Sequence, residues 1–343
     1  MASIKLRNSF TLGDYSRPYI VAEINTSHFG KLEVAKELID KAKESGCDCV
    51  KFQSWTTDTL YSNSYYTENP IAKRFVKKFS FSEDELLGLA NYCKEVGVAF
   101  ASTPYSTSEV DFLINKCDVP YIKVASMDIN NLVFLKHIAK TKAPIVLSTG
   151  MADYEEVVRA VKTIEEAGNV NISILHCVSI YPAENDSNRL FNIVGLRELF
   201  PDYPIGFSDH SIGSELAIGA VALGACMIEK HFTLDNKNIG MDNQMATEPL
   251  DMKMLVDGCH NVQSALGGKD RILLPGEVDQ RKVMRRSIVA NKDLSSGSIL
   301  SMDDFDFKRP GIGFSPETAE SLVGKKLNND ISFDQLLTES DIL

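Results

Sequence analysis

Lysines, histidines, carboxylates and hydroxyls recur in this sequence at the ends of short apolar runs. The runs are Tyr19–Ile24, Cys49–Gln53, Val98–Thr103, Tyr121–Ser126, Pro144–Thr149, Ile172–Val178, Ile205–Ser208 and Met227–Phe232. The first ends in Glu23, the second in Lys51 and Gln53, and the third in Ser102 and Thr103. The fourth carries Lys123 and Ser126, with Asp128 just beyond, and the fifth ends in Ser148 and Thr149. The last three end in His176, Ser179 and Tyr181, then Ser208, Asp209 and His210, then Glu229, Lys230 and His231. A polar group in an apolar strand is costly to desolvate unless it is paired. Some of the Ser and Thr residues read equally well as hydrogen-bonded plugs, but stability alone does not explain a polar group at every end.

Lys51 and Lys123 each interrupt an apolar strand (CVKFQ and YIKVAS). Two inward ammonium groups in one pocket repel each other unless an anion lies between them. With the hydroxyls of Ser126 and Ser148 they suit a phosphate or carboxylate. A Schiff-base lysine is the competing chemistry, but one lysine is enough for that, whereas two favour a compact dianion. His210 and His231 end adjacent strands, close enough for two imidazoles to share a cation. Glu23, on the first strand, could supply or orient a carboxylate there. With no HExxH and no cysteine set, the pattern suits an open, hydrated Mn²⁺ or Mg²⁺ site better than structural zinc. Spacing alone leaves open whether a metal binds. His137 and His260 fall in helical segments, and His176 reads as a core or a supporting residue.

The elements that must position these groups alternate. Leu32–Ser45 (LEVAKELIDKAKES) and Tyr154–Ala167 (YEEVVRAVKTIEEA) place apolar residues at i, i+3, i+4 and i+7, the spacing of an amphipathic helix. Gly46, Gly97 and Gly168 stand where a helix needs a left-handed cap before the next strand. Eight strand-then-helix units over about 265 residues predict a (β/α)8 TIM barrel, whose chemistry sits at the carboxyl ends of the strands. A doubly wound open sheet is the alternative. One loop is anomalous: Ser54–Phe81 is long and rich in Thr, Tyr, Ser and Asn, and a loop of that length is usually functional. The pattern changes after Gly268. The expected division is a catalytic barrel over 1–268, a linker over 269–286 and a small β-rich domain over 287–343.

Composition sets the outer bounds. The chain has 343 residues, 44% of them apolar and 24% charged, so it can bury a sizeable core. A net charge of −11 gives no footprint for nucleic acid or an anionic membrane, although it allows a local basic site. No apolar run approaches the ~20 residues of a membrane span, and the first residues are too polar for a signal peptide. The seven cysteines are scattered singly, as expected of a protein kept in a reducing cytoplasm.

Several strings occur together and in order: AEINTSHFG (22–30), KFQ (51–53), STP (102–104), KVAS (123–126), LSTGM (147–151), HCVSIYP (176–182), GFSDHSIG (206–213) and EKHFT (229–233). With them the chain resembles the sialic acid (N-acetylneuraminate) synthase family, which includes the bacterial legionaminic and pseudaminic acid synthases. The tail, from RRSIVANKDLSSGSIL to FKRPGIGFSP, resembles that family's antifreeze-like (SAF) domain. The resemblance implies condensation of phosphoenolpyruvate with an N-acylated hexosamine to a nine-carbon acid, with release of phosphate. It also implies a dimer in which the small domain of one chain covers the other's active site.

By position, His210 and His231 would hold Mn²⁺, with Mg²⁺ or Co²⁺ as alternatives. Lys51, Lys123, Ser126 and Ser148 match phosphoenolpyruvate-binding positions, and Ser179 stands where Asn is common. Gln53, Tyr181 and Asp242 match sugar contacts, Arg309 in KRPGIG matches an arginine reaching the N-acyl group, and Glu23 matches a carboxylate near the metal. Four departures bear on the acceptor: SHFG at 27–30 in place of the family's NHNG, Asp128 in place of Glu, Ser179, and NIGMDNQ at 238–244.

Overall fold

The computed structural model describes residues 1–343. The chain divides into two units, Met1–Gly267 and Gly268–Leu343. The first begins with a hairpin, β1 (Ser3–Lys5) and β2 (Thr11–Gly13), and then alternates. Its parallel strands are β3 (Tyr19–Glu23), β4 (Cys49–Gln53), β5 (Ala99–Thr103), β6 (Ile122–Val124), β7 (Ile145–Ser148), β8 (Ile172–Cys177), β9 (Ile205–Asp209) and β10 (Met227–His231). They pair in the order β5-β4-β3-β10-β9-β8-β7-β6. The last strand therefore lies beside the first, and the two end strands, consecutive in the chain, contact each other. This is the TIM-type barrel that the alternation predicts.

The helices between them include α1 (Leu32–Glu44), α4 (Glu83–Val96), α5 (Thr107–Asn115), α6 (Leu132–Lys140), α7 (Tyr154–Glu166), α8 (Asn192–Leu199), α9 (Glu215–Ala222) and α10 (Pro249–Ala265). Their ends follow from local chemistry. Ser82 and Asp153 form capping boxes at the starts of α4 and α7, and Gly97 closes α4 in the left-handed conformation.

Successive strand residues face opposite sides, and the cores sort accordingly. Ile20, Ala22, Val50, Phe52 and Ile228 pack outward with the helices. Tyr19, Val21, Cys49, Ala101, Tyr121, Val146, Leu175 and Met227 fill the interior, sealed by Ile4, Leu6 and Leu12 from the hairpin region. The same inward rows continue upward into polar residues: Glu23 follows Val21, Lys51 follows Cys49, and Glu229 and His231 follow Met227. The barrel interior is thus apolar below and polar above.

Two segments differ from expectation. Ser54–Phe81 holds two helices, α2 (Asn63–Glu68) and α3 (Pro70–Phe79). Ser62 caps the first through its side chain, and Pro70 opens the second. Trp55, Tyr66 and Val76 form a small core of their own there, with Leu60 and Tyr105 against it. The expected linker contains α11 (Pro275–Met284), which buries none of its residues and so shows no apolar stripe in the sequence. In the second unit, β11 (Ser287–Ala290) pairs antiparallel with β12 (Phe305–Lys308) over a core of Ile288, Leu294, Leu300, Phe305, Leu327 and Leu337. No helix of the chain is long and apolar enough to cross a membrane.

Candidate functional site

A cavity of about 900 Å³ opens at the carboxyl ends of the strands, and residues of the first unit alone line it. Eleven of the twelve expected site residues lie on its surface. The exception is Arg309, which is exposed at the end of β12 and forms no ion pair within the chain.

Four charges form its floor. Lys51, 2% exposed, pairs closely with Glu23 and donates to Thr103 Oγ1 at 3.0 Å. Glu229 stands between the lysines, 3.7 Å from Lys51 and 3.4 Å from Lys123, and accepts from Ser208 Oγ at 3.0 Å. The expectation that the two ammonium groups need a ligand anion between them is therefore corrected. Buried Glu229 already stands there and Glu23 pairs with Lys51, so the floor is close to neutral. Burial works against charge on Glu229, but Lys123 and then Lys51 outweigh it and hold the carboxyl below the usual range. Burial raises Glu23, and the pull of Lys51 does not cancel it. Of the two, Glu23 is the carboxyl that takes up a proton more readily.

Beside the charges is a cradle of hydroxyls. Lys123 donates to Ser148 Oγ at 2.7 Å, and the Gly150 N–H donates to Ser126 Oγ at 3.0 Å. A Cβ on Gly150 would stand 2.1 Å from Ser179 Oγ and 2.8 Å from Ser126 Oγ, so a side chain there would push both hydroxyls out of place. One ammonium, three hydroxyls and a backbone N–H converging in this way suit an anion such as phosphate.

On the other flank the ring centroids of His210 and His231 are 5.3 Å apart, with Tyr181 against His210 at 4.3 Å. His210 Nδ1–H donates to the Val178 carbonyl at 2.7 Å. Burial works against its charge, but Cys177 and this carbonyl outweigh burial and raise the imidazole above its usual value, so a cation at Nε2 would have to displace a proton. Burial first, then the neighbouring His210 and Lys51, hold His231 well below the usual imidazole value, so it keeps a lone pair at neutral pH. These donors fit a divalent cation. No group of three or more His, Cys, Asp or Glu residues closes a protein-only shell, so substrate and water would have to complete it. Glu23 turns to Lys51 and Gln53 instead.

Asp209 and Lys230 show what strand alternation does to neighbouring residues. Each precedes one of these histidines, yet they face the opposite side of the strands and pair at 2.8 Å while essentially inaccessible. Lys230 also donates to the Ser211 carbonyl, and Asp209 accepts from Ser211 N and Oγ. The pair ties β9 to β10 directly behind the two imidazoles. His176, left open by the sequence, is a core residue: its Nε2 lies 2.6 Å from the Asn188 carbonyl and its ring stacks on Phe207.

Sequence reasoning missed Tyr105 and Asn25. Tyr105 donates to Gln53 Oε1 at 2.7 Å, and Gln53 Nε2 donates to Glu23 at 2.8 Å, which fixes the glutamine's orientation. Asn25 bridges the Glu23 carboxylate and Asp242. Tyr105 follows the string STP and Asn25 lies within AEINTSHFG, and a place beside a strand end was the available signal.

The rest of the cavity wall comes from the 54–81 segment. It contributes Leu60, Tyr61, Tyr65, Glu68, Ile71, Phe75 and Val76 among others, and no lysine or arginine. The segment docks on the loop after β3. His28 packs on Phe81 at 4.3 Å and on Phe79 at 6.3 Å, and its Nδ1 accepts from the Gly30 N–H. Gly30 has φ +71°, and a Cβ there would lie 2.0 Å from the Lys78 carbonyl oxygen. Loop and helix can approach this closely only at glycine.

Residues 38–271 match the NeuB family, and residues 285–343 match the SAF domain. The chain is 35% identical over 327 residues to N,N'-diacetyllegionaminic acid synthase of Legionella pneumophila, covering 92% of this chain and 91% of that one. It is 35% identical over 331 residues to N-acetylneuraminate-9-phosphate synthase of Homo sapiens, covering 94% and 91%. Among solved structures, N-acetylneuraminic acid synthetase of Leptospira borgpetersenii aligns with a TM-score of 0.74 at 30% identity, over 81% of this chain and 94% of that one.

Proposed function

The chain belongs to the NeuB family, and on that premise we propose that it condenses phosphoenolpyruvate with an N-acylated hexosamine. The acceptor is N-acetylmannosamine or a diacetamido-trideoxyhexose. The product is a nine-carbon nonulosonic acid, and phosphate leaves by C–O cleavage. Relatives named as synthases of legionaminic and N-acetylneuraminic-type acids support the reaction class. The observation that carries the reading is a hydroxyl-and-ammonium cradle and a pair of imidazoles sharing one cavity at the strand ends.

Lys123, Ser126, Ser148, Ser179 and the Gly150 N–H hold the phosphate, and Lys51 faces the carboxylate. Their role is to position and to neutralise charge. His210 and His231 would hold a divalent ion, Mn²⁺ in the first instance, which would supply Lewis-acid polarisation of the acceptor's open-chain aldehyde. C3 of phosphoenolpyruvate bonds to the aldehyde carbon, and positive character develops at C2. Water adds at C2, and the tetrahedral adduct collapses by breaking the C2–O bond to phosphate. Glu23, whose carboxyl is raised by burial, moves the water proton. Gln53, Tyr181 and Asp242 orient the sugar, with Tyr105 and Asn25 fixing Gln53 and Asp242.

A homodimer completes the site, with Arg309 of a second copy reaching the N-acyl group. Support comes from the exposed, unpaired state of Arg309 and from an apolar rim at the barrel mouth. Met127, Met151, Ile180, Ile212 and Ile239 are each more than half exposed there. All seven cysteines are free and buried, which supports a reducing, cytoplasmic setting.

The test is phosphate release from phosphoenolpyruvate with a panel of N-acylated hexosamines, with and without Mn²⁺ after chelation, and product mass by spectrometry. Metal-dependent release with a mass equal to acceptor plus pyruvate is the expected result. Failure of every N-acylated hexosamine to support turnover would overturn the proposal.

A further inference from the structure

The acceptors proposed above share an unphosphorylated far end, and overall similarity alone does not choose it. The legionaminic acid synthase and the N-acetylneuraminate-9-phosphate synthase are equally similar to this chain, at 35% identity. We propose that the α2–α3 segment is the selectivity element for the acceptor, and that it takes an uncharged, methyl- or acylamino-bearing end and excludes a phosphorylated one. The inference rests on the reaction proposed above.

The aldehyde carbon must face the floor, where the anion cradle and the imidazoles are. The rest of the sugar then reaches the outer cavity, to which Gln53 and Tyr105 lead: Tyr105 both bonds Gln53 and packs on Trp55 at 5.7 Å. There Tyr61, Tyr65, Ile71 and Phe75 offer apolar and aromatic surface. Lys51 and Lys123 are the only lysine or arginine side chains lining the cavity, and both belong to the floor. The one charged residue that the wall segment contributes is Glu68, which is acidic; Asp242 lines the cavity beside Asn25 and His210. The basic residues of α3 do not help. Lys73 lies over the Tyr66 ring and Lys78 over Phe79, and neither lines the cavity.

A phosphate dianion brought to this wall loses water, meets no cation and faces a carboxylate, each of which weakens binding. A methyl or acetamido group gains by burial against the same surface. Arg309 of a second copy is committed on this reading to the N-acyl group near the other end.

Three probes decide: N-acetylmannosamine, N-acetylmannosamine 6-phosphate and 2,4-diacetamido-2,4,6-trideoxymannose. The wild-type enzyme should show kcat/KM for the trideoxy sugar at least ~100-fold above that for the 6-phosphate. In Ile71→Arg, a cation placed at the exposed edge of the wall should narrow that ratio at least ~10-fold, and added salt should reverse the change. Glu68→Lys should do the same from another position, so that one misfolded variant does not decide the matter. Equal use of the 6-phosphate by wild type, or a ratio unmoved in both folded variants, overturns the inference and leaves the condensation standing. No turnover with any of the three overturns the condensation itself.

Discussion

The floor and the wall of the cavity are built by opposite means. The floor is polar, nearly inaccessible and carried on strand ends, where each side chain is held by its neighbour on the next strand. The wall is apolar and half exposed, and its two short helices meet the barrel through His28, Phe29 and Gly30 of one loop and Tyr105 of another. Chemistry that needs charges fixed against each other belongs on the first kind of surface, and discrimination between sugars of similar shape belongs on the second. The two therefore should fail differently when disturbed.

The largest effect is expected in the floor. His231→Ala and Lys123→Ala should each lower kcat/KM by roughly three orders of magnitude or more, the loss of several positioned charge interactions. Tm should stay near wild type in His231→Ala, whereas Lys123→Ala, which takes a buried cation from Glu229, should lose stability as well as activity. A change of under tenfold in either would remove that residue from the mechanism.

Behind the floor, the Asp209–Lys230 pair should matter to stability and to metal at once. Lys230→Met leaves an uncompensated buried carboxylate and should cost about 3–5 kcal/mol. The double variant Asp209→Leu/Lys230→Met should recover most of that stability. If the pair also sets the two imidazoles, the double variant will still bind Mn²⁺ more weakly by calorimetry. Wild-type affinity would make the pair structural only.

In the wall, the smallest effect depends on pH. Burial lowers His28 from the ordinary 6.5 to about 4. Between those values the folded protein binds fewer protons than the unfolded chain. This contribution is complete above about pH 6.5 and is lost as pH falls toward 4, by up to ~3 kcal/mol. Urea midpoints at pH 7.5 and 5.0 should separate wild type from His28→Asn, which keeps an acceptor for the Gly30 N–H without the titration. Equal slopes in the two proteins would show that His28 does not carry the loss.

The same contrast explains what could be read from the sequence. Lys51 and Lys123 were legible because an ammonium within an apolar strand is conspicuous, and His210 and His231 because they end neighbouring strands. The partnering was not. Whether Glu229 stands between the lysines depends on strand register and on which side of the sheet it faces, and adjacent Lys230 faces the other way. The wall reads as a loop in the sequence because its helices are six and ten residues long, rich in Tyr, Ser, Asn and Lys. Several of their apolar residues line the cavity instead of the barrel core. Arg309 is legible only through resemblance, since nothing within its own chain partners it.

On the proposed mechanism the floor breaks a C–O bond and not a P–O bond. Phosphoenolpyruvate labelled with ¹⁸O at the bridging oxygen tests it, with the released phosphate read by ³¹P NMR after turnover with the trideoxy acceptor. The label should appear in the phosphate. Unlabelled phosphate would mean attack at phosphorus, and would contradict the roles given to the lysines, the serines and Glu23.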